Sequence, residues 1–181
     1  YREPYIDEKT LVIAVAQSGE TADTVSAMQM VREKGGRLIS ICNVDGSQAT
    51  RLAEGALLMR SGIEIGVAST KTFITSLTLL NLLAAYLGQV RGTLDRQQSR
   101  QLVDGLAQCP RLIGEMLADT TLYQRLARRF HTYNNFLFLG RGINAPIAME
   151  GALKLKEISY IHAEGYHAGE MKHGPIALID Q

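Results

Sequence analysis

The chain has 181 residues, of which 46% are hydrophobic and 20% charged, and its formal net charge at pH 7 is +1. These values are typical of a folded globular protein with one large or two small domains, and they exclude the disordered and fibrous classes. The near-neutral charge gives no support for a nucleic-acid partner or an anionic membrane surface, so we expect neither.

Cys42 and Cys109 are the only cysteines. Their number and spacing predict neither a disulfide framework nor a zinc site, which favours a reducing, cytoplasmic setting. We expect no membrane span, because Thr78 and Asn81 interrupt the most apolar segment, residues 73–87. The chain shows no signal peptide, does not start with methionine and ends directly after an apolar run, so we expect a piece of a longer protein.

Strands and helices alternate in the first part of the chain. Near-continuous apolar runs predict strands that are covered on both faces, and this is the character of a parallel sheet. Helical periodicity fills the intervals between them, which gives the repeated βαβ pattern of an α/β fold. The predicted strands are 11–15, 38–43 and 56–59, and the predicted helices are 21–34 and 48–54.

The rest of the chain is predicted to begin with helices. A long apolar helix covers 71–90, and a helical connection covers 94–130 with a break at Pro110. A strand over 135–140 then opens a second unit. It is followed by a helix over 146–160 and by a loop over 162–181 that contains a strand-like run, 176–179.

The first candidate site is the polar turn that follows the first strand. Gln17, Ser18, Gly19 and Thr21 lie where the N–H groups at the start of a helix are free, and such a place favours anions such as phosphate. The alternative is that Ser18 or Thr21 simply caps the helix. A second loop of small and hydroxyl residues, 62–70, lies at another strand end, where parallel sheets gather their ligand sites.

The second candidate site lies on the helix over 146–160. Lys154 and Glu157 can place an acid/base carboxylate beside a cation, on the half-buried border of a predicted buried face. The alternative, which spacing alone favours, is a surface ladder in which Glu150 pairs with Lys154. The predicted buried face consists of Ile147, Gly151, Leu155 and Ile158.

Histidines and glycines suggest two further possibilities. His173 lies in a tight polar loop and could titrate near neutral pH. His162, His167 and His173 do not have the spacing of a known metal motif, so we expect no metal. Residues 140–145 fit the GxGxxA form of the dinucleotide fingerprint, but Glu164 is the only acidic residue near the required position, so we do not favour nicotinamide binding.

Taken together, these motifs resemble the isomerase part of the glutamine:fructose-6-phosphate aminotransferase family. The resemblance covers most of the chain and rests on five segments: 17–24, 64–71, 138–142, 150–164 and 169–175. It implies a flavodoxin-like αβα sandwich of the sugar isomerase type. Residues 1–92 would then be most of a first sugar isomerase domain, 93–132 a helical connection and 133–181 the start of a second domain.

The resemblance also implies a role for each matched residue. Gln17, Ser18 and Thr21 would bind the sugar phosphate with the help of Val67 and Ser69, and Glu64 would lie near the same pocket. Glu157 would be the base that moves a proton between C1 and C2, with Lys154 beside it. His173 would match a ring-opening histidine that the family supplies from the partner subunit of a homodimer.

The same resemblance sets the expected partners and limits. It implies a sugar phosphate substrate, no cofactor, and a glutaminase domain elsewhere in the parent chain. Ala16 stands where the family has a serine, which is expected to weaken phosphate binding. The chain also lacks the segment with the Schiff-base lysine, so we expect no complete reaction from this piece alone, and a non-catalytic phosphosugar sensor is the alternative function.

Overall fold

The computed structural model describes residues 3–179, and the chain divides into two compact units, Tyr1–Pro110 and Arg111–Gln181. The first unit contains the predicted alternation of strands and helices, with ends that differ from the predicted ones by at most two residues. Its elements are β1 (Leu11–Ala16), α1 (Ala22–Glu33), β2 (Arg37–Cys42), α2 (Gln48–Leu52), β3 (Gly55–Leu58), α3 (Lys71–Val90) and the start of α4 (Arg96–Ala118).

The three strands of the first unit form a parallel sheet in the order β1-β2-β3. Ala16 is opposite Cys42, and Cys42 is opposite Leu58. The carboxyl ends of all three strands are therefore level at one edge of the sheet, which is where ligand loops of parallel sheets lie. The predicted parallel α/β class is confirmed.

The core of this unit lies between the sheet and the helices α1 and α2. Met28, Val31 and Leu38 are its large members, and Ala14 and Ala49 complete the cluster. Burial of a side chain such as Met28 or Leu38 contributes about 1.5–3 kcal/mol.

The prediction that the strands are covered on both faces holds for β2 but is wrong for β1. Ile41 and Cys42 of β2 are fully buried, whereas Leu11 and Val15 of β1 are 49% and 45% exposed. Leu11 and Val15 lie on one face of β1, and only the opposite face, with Val12 and Ala14, packs into the core.

The reason given for expecting no membrane span, an interrupted apolar segment, is wrong, although a single apolar helix of this length is only weak evidence for a span. Among residues 3–179, α3 is long and apolar enough to span a membrane, and few of its residues are buried in this structure. Thr78 and Asn81 do not interrupt it, because Thr78 Oγ1 donates to Ile74 O (2.9 Å) and Asn81 Nδ2 donates to Leu77 O (2.8 Å). Polar groups satisfied within their own helix leave its apolar character continuous.

The predicted break at Pro110 is also wrong, because Pro110 lies inside α4. The helical connection is interrupted instead before α5 (Thr121–Phe130). There, Asp119 Oδ1 accepts a hydrogen bond of 2.8 Å from Thr121 N, so a side-chain oxygen satisfies a free N–H at the start of α5.

The second unit is built on a parallel pair of strands, with Asn135 opposite His162 and Gly140 opposite His167. The start of the predicted loop over 162–181 is a strand, His162–His167, and the predicted strand-like run over 176–179 lies largely in a 3-10 helix, Pro175–Leu178. The end of that predicted loop, residues 180 and 181, lies outside the described residues. The elements are β4 (Asn135–Gly140), α6 (Asn144–Ser159), β5 (His162–His167) and 3-10 helices at Ala168–His173 and Pro175–Leu178.

Two glycines allow α6 to lie directly against this strand pair. A Cβ at Gly140 would be 2.6 Å from Ala145 Cα, and a Cβ at Gly165 would be 2.7 Å from Met149 N. Real Cβ atoms do not approach backbone so closely. Because α6 lies so close to β5, the strand has little room for large apolar side chains. It therefore lacks the apolar run by which a strand is predicted from sequence.

The predicted buried face of α6 is partly wrong for the same reason. Ile147 and Ile158 are 51% and 69% exposed, whereas Ala145 and Ala152 are almost completely buried. Small side chains face the strands because α6 approaches them so closely.

We expect Gly165→Ala to lower the free energy of unfolding by about 1–3 kcal/mol, because the added Cβ must push α6 away from β5. Gly169→Ala is the matched control: a Cβ there meets nothing within 4 Å, so the change should stay within about 0.5 kcal/mol. Urea denaturation of the purified protein measures both. Equal effects of the two substitutions would contradict the proposed contact.

Candidate functional site

The loop that follows β1 is fixed to the segment that follows β2 by backbone hydrogen bonds. Asn43 N donates to Gln17 O (3.1 Å), and Ala49 N donates to Gly19 O (3.0 Å). We call residues 17–21 the first loop. Its position is therefore set by the neighbouring strand and helix and not by its own sequence alone.

A carboxylate of the first loop adds to this attachment. Glu20 accepts hydrogen bonds from Gln48 N (2.9 Å) and from Gln48 Nε2 (2.6 Å). These two bonds are the main reason that the pKa of Glu20 is lowered; desolvation opposes them, and the charge of Arg51 adds to the lowering. Glu20 thus binds the first turn of α2 in its ionised form.

Gly19 is required at its position for two reasons. Its φ is +71°, and an added Cβ would be 2.7 Å from Ser47 Cβ and 2.9 Å from Cys42 Sγ. Any other residue would therefore be strained and would also push the first loop off the segment after β2.

The capping alternative for Ser18 and Thr21 is wrong in this structure. Thr21 is the N-cap residue of α1 but makes no side-chain capping hydrogen bond. Ser18 Oγ accepts from Glu20 N (3.3 Å), inside the first loop and before the helix. Neither hydroxyl oxygen satisfies the first N–H groups of α1, which therefore stay available to a ligand.

We expect Gly19→Ala to destabilise the protein more than Gly46→Ala does. Both glycines have positive φ, +71° and +72°, but a Cβ at Gly46 meets nothing within 4 Å. Both substitutions should cost about 1–2 kcal/mol for the backbone conformation, and Gly19→Ala should cost about 1–3 kcal/mol more for the contact. Chemical denaturation measures the difference, and its absence would show that the first loop is not pressed against Ser47.

The second loop, residues 62–70, is attached through the side chain of Glu64. Its Oε2 accepts hydrogen bonds from Thr72 N (3.0 Å), Thr72 Oγ1 (2.9 Å) and Ser69 Oγ (3.1 Å). The bond from Thr72 N is the main reason that the pKa of Glu64 is lowered; desolvation opposes it, and the two hydroxyls and Lys71 add to it. A carboxylate thus satisfies the start of α3 from outside the helix.

Other predicted members of the second loop differ in exposure. Val67 is 88% exposed and carries the carbonyl that accepts from Ser69 N (2.8 Å). Ser69 is half-buried and also contacts Thr72 Oγ1 through its hydroxyl. The Ser69 hydroxyl is therefore already engaged within the loop.

Acid should weaken these attachments. Because the pKa values of Glu20 and Glu64 are lowered on folding, their stabilising effect is present above their ordinary pKa of about 4.5 and is lost as the pH falls through the folded values. We expect the free energy of unfolding to fall below pH 4.5, and to fall less steeply in a variant that combines Glu20→Gln with Glu64→Gln. Denaturation between pH 3 and pH 6 tests this, with Glu33→Gln, an exposed residue of α1, as the control. An unchanged slope in the double variant would contradict the assignment.

In the second unit, Lys154 lies between two carboxylates of α6. Its Nζ donates to Glu157 Oε2 (2.8 Å) and lies 3.2 Å from Glu150 Oε1. Their side chains are 22–27% exposed, as predicted for the border of the helix. The structure thus contains both contacts, Glu150 with Lys154 and Lys154 with Glu157, which the spacing had presented as alternatives.

The electrostatics of Lys154 follow from this position. Partial burial lowers its pKa, but the hydrogen bonds and charges of Glu157 and Glu150 outweigh that effect and raise the pKa above its ordinary value. Lys154 is therefore a stable cation at neutral pH, placed next to the predicted base.

The histidines do not converge on one place. His173 is exposed at the end of a 3-10 helix, whereas His162 contacts Asn135 Oδ1 (3.0 Å) and Glu164 Oε1 (3.5 Å) from β5. Among residues 3–179, no group of three or more His, Cys, Asp or Glu side chains is arranged to hold a metal ion.

The structure contains only part of the arrangement that dinucleotide binding requires. Gly140 does end a strand that turns into a helix, as the fingerprint requires. Glu164, however, lies in the middle of β5, where its carboxylate accepts from Tyr166 OH, and not at the end of the strand. The acidic group that would bind a ribose is not in place.

A groove in the first unit lies away from both loops. It runs between β1 and α1 and is lined by Val12, Ala14, Thr24 and Met28, among others. None of the predicted ligand residues lines it. The candidate site therefore remains at the carboxyl ends of the strands.

Comparison with known proteins identifies the family of the chain. A family model for the SIS domain matches residues 2–86 and 130–181, which is most of the chain. The chain belongs to the SIS-domain family. The first loop and α6 both lie within the matched residues.

Two relatives with the same printed name are particularly similar. The glutamine–fructose-6-phosphate aminotransferase [isomerizing] of Thermus thermophilus is 49% identical over 181 residues, and that of Pectobacterium atrosepticum is 53% identical over 182 residues. These matches cover 100% and 99% of this chain but only 30% of each relative.

A solved structure agrees in fold. The C-terminal domain of glucosamine-fructose-6-phosphate aminotransferase from Francisella tularensis matches with a TM-score of 0.96 and 40% identity, over 99% of this chain and 51% of that one. The SIS fold that the sequence predicted is thereby confirmed.

Sequence reasoning missed two residues that hold the first loop. Asn43 follows a buried strand just as Gln17 does, and Glu20 precedes a helix while bonding to a different one. The position of Asn43 after an apolar run was a usable signal. No sequence pattern pointed to the partner of Glu20, because Gln48 is 28 residues away in the chain.

Proposed function

We propose that this chain supplies sugar-phosphate binding and ketose–aldose isomerisation to a longer glutamine–fructose-6-phosphate aminotransferase that makes glucosamine 6-phosphate. The observation that carries the proposal is the contact of Lys154 with Glu157 on α6, because it provides an acid/base carboxylate beside a permanent cation. The names of the relatives and their coverage of the whole chain support the choice of substrate.

The first loop is the proposed phosphate site. Gln17, Ser18 and Thr21 precede α1, whose first N–H groups are not satisfied by the side chain of either hydroxyl residue. Free N–H groups, hydroxyl donors and the positive end of the helix dipole can hold a phosphate dianion without arginine. Ala16 contributes no hydroxyl, so these groups would carry the interaction.

Glu157 is the proposed base for proton transfer between C1 and C2. Lys154 donates to Oε2 of this carboxylate and would orient it, while the other oxygen faces the proton that moves. The positive charge of Lys154 also favours the negative charge that develops on the sugar oxygens during enolisation.

The remaining predicted residues take supporting roles. Val67 and Ser69 would contact the sugar from the second loop, and Glu64 holds that loop on α3. His173 is the proposed ring-opening group, and its exposure is compatible with use by a second subunit. A homodimer, a glutaminase domain in the same chain and a cytoplasmic location belong to this proposal, and the chemistry as written uses no cofactor.

We expect Glu157→Gln in the full-length protein to slow isomerisation by about 10²–10⁴-fold, because the amide cannot accept the proton. Exchange of the C2 proton of glucosamine 6-phosphate with solvent, followed by NMR in deuterated water, measures this step directly. Glu115→Gln replaces an exposed carboxylate paired with Arg111 on α4 and should leave the rate unchanged. Undiminished proton exchange in Glu157→Gln would remove Glu157 as the base.

A further inference from the structure

Asn43 occupies the position between the two loops. It directly follows β2, the central strand of the first sheet, while the first loop follows β1 and the second loop comes after β3. Its backbone N–H donates to Gln17 O (3.1 Å), which attaches it to the first loop.

The side chain of Asn43 points the opposite way along the sheet edge, to the start of the second loop. Oδ1 accepts from Ser61 N (3.0 Å) and Ser61 Oγ (2.8 Å), and Nδ2 donates to Gly62 O (2.7 Å). Two donors face the oxygen and one carbonyl faces the nitrogen, so the chemistry of the neighbours fixes the orientation of the amide.

The segment that Asn43 holds has a backbone that needs support. Arg60 has φ of +53° and Gly62 has φ of +71°, so two residues out of three are in the left-handed region. For a residue with a side chain, such as Arg60, this conformation costs free energy and persists only where surrounding contacts impose it. The bonds from Asn43 to Ser61 and Gly62, together with Met59 N to Cys42 O (2.9 Å), are those contacts.

Glu64, two residues after Gly62, bonds to Ser69 and to Thr72 in the first turn of α3, so its side chain closes the second loop onto that helix. The bonds of Asn43 and those of Glu64 together therefore set the position of the middle of the second loop, which includes Val67.

Asn43 bonds to both loops, through its N–H to Gln17 and through its side chain to Ser61 and Gly62. The neighbouring Cys42 adds a weaker link, because its Sγ lies 3.6 Å from Gln17 O and its carbonyl accepts from Met59 N.

We propose that Asn43 is a positioning residue that couples the first loop to the second, so that both contact one sugar phosphate in the same binding event. This inference rests on the proposed function, because it assumes that the two loops bind a common ligand. Asn43 itself acts through Gln17, Ser61 and Gly62 and touches no reacting atom.

The test is a kinetic comparison in the full-length protein with fructose 6-phosphate as the varied substrate. Asn43→Ala should raise KM about tenfold, the factor that corresponds to loss of a typical hydrogen-bonded contact, and should leave kcat within about twofold of wild type. A role in fold stability alone would lower the amount of active enzyme, and therefore the apparent kcat, without moving KM. An unchanged KM would overturn the proposal.

Asn81→Ala is the matched control, because it removes an asparagine that donates one hydrogen bond to a backbone carbonyl, Leu77 O, on α3. Its KM should equal that of wild type. If Asn43→Ala does not fold, Asn43→Asp replaces it as the test: the acceptor for Ser61 is kept, but an anionic oxygen faces Gly62 O. Asn43→Asp should also raise KM, and a wild-type KM in that variant would overturn the proposal.

A double-mutant cycle with Ser69→Ala gives a second readout. If Asn43 places the second loop, removing Ser69 should change KM less in the Asn43→Ala background than in wild type. Strictly additive effects would contradict the coupling. Wild-type protein that does not turn over fructose 6-phosphate would contradict the proposed function, whereas a failure of the Asn43 variants alone would contradict only the coupling.

Discussion

The parallel pairing of β1, β2 and β3 is the constraint on which the first unit depends. Because Ala16, Cys42 and Leu58 are level, the residues that follow them emerge at one edge of the sheet. Loops that start from the same edge can bond to each other over short distances, as Gln17 and Asn43 do. The apolar core beneath this edge, built around Met28 and Leu38, keeps the strands in that register.

Carboxylates hold both loops in place, although the proposed ligand is an anion. Glu20 bonds to the first turn of α2, and Glu64 bonds to the first turn of α3. Each carboxylate neutralises the start of a helix that does not carry the proposed phosphate site. At α1, Asp23 lies in the first turn, but neither the Ser18 nor the Thr21 hydroxyl caps the helix, so we assign the phosphate to this helix start and not to the other two.

The second unit follows a different principle, close approach of backbones. Gly140 and Gly165 allow α6 to lie against β4 and β5, and this contact fixes the direction in which the border of α6 faces. Lys154 then lies half-buried between Glu150 and Glu157, where burial and hydrogen bonding together set its charge. If α6 lay farther from the strands, these side chains would be exposed to water, where an ion pair contributes little to the free energy of unfolding.

The sequence predicted the parts of the fold that depend on local pattern. Apolar runs located β1, β2, β3 and β4, and helical periodicity located α1 and α3. It failed at β5, which is a strand because it pairs with β4, a partner distant in the sequence. It also misjudged Thr78, whose hydroxyl bonds to a carbonyl four residues back in the same helix and so leaves α3 continuous.

The candidate site shows the same division. The residues that carry polar chemistry, such as Ser18, Lys154 and Glu157, were recognisable from their type and spacing. Of the residues that hold the first loop, Asn43 had a usable signal in its position after an apolar run, whereas Glu20 did not, because its bond to Gln48 reaches 28 residues along the chain. The choice between a capping role and a ligand role for Ser18 needed the geometry of α1 itself.

The central claim is that the first loop holds the phosphate of a sugar phosphate. A crystal structure of the full-length protein with glucosamine 6-phosphate tests it most directly. The account predicts the phosphate within hydrogen-bond distance of the hydroxyls of Ser18 and Thr21, at the start of α1. A bound sugar whose phosphate lies at the start of α2 or α3, or elsewhere on the protein, would contradict it.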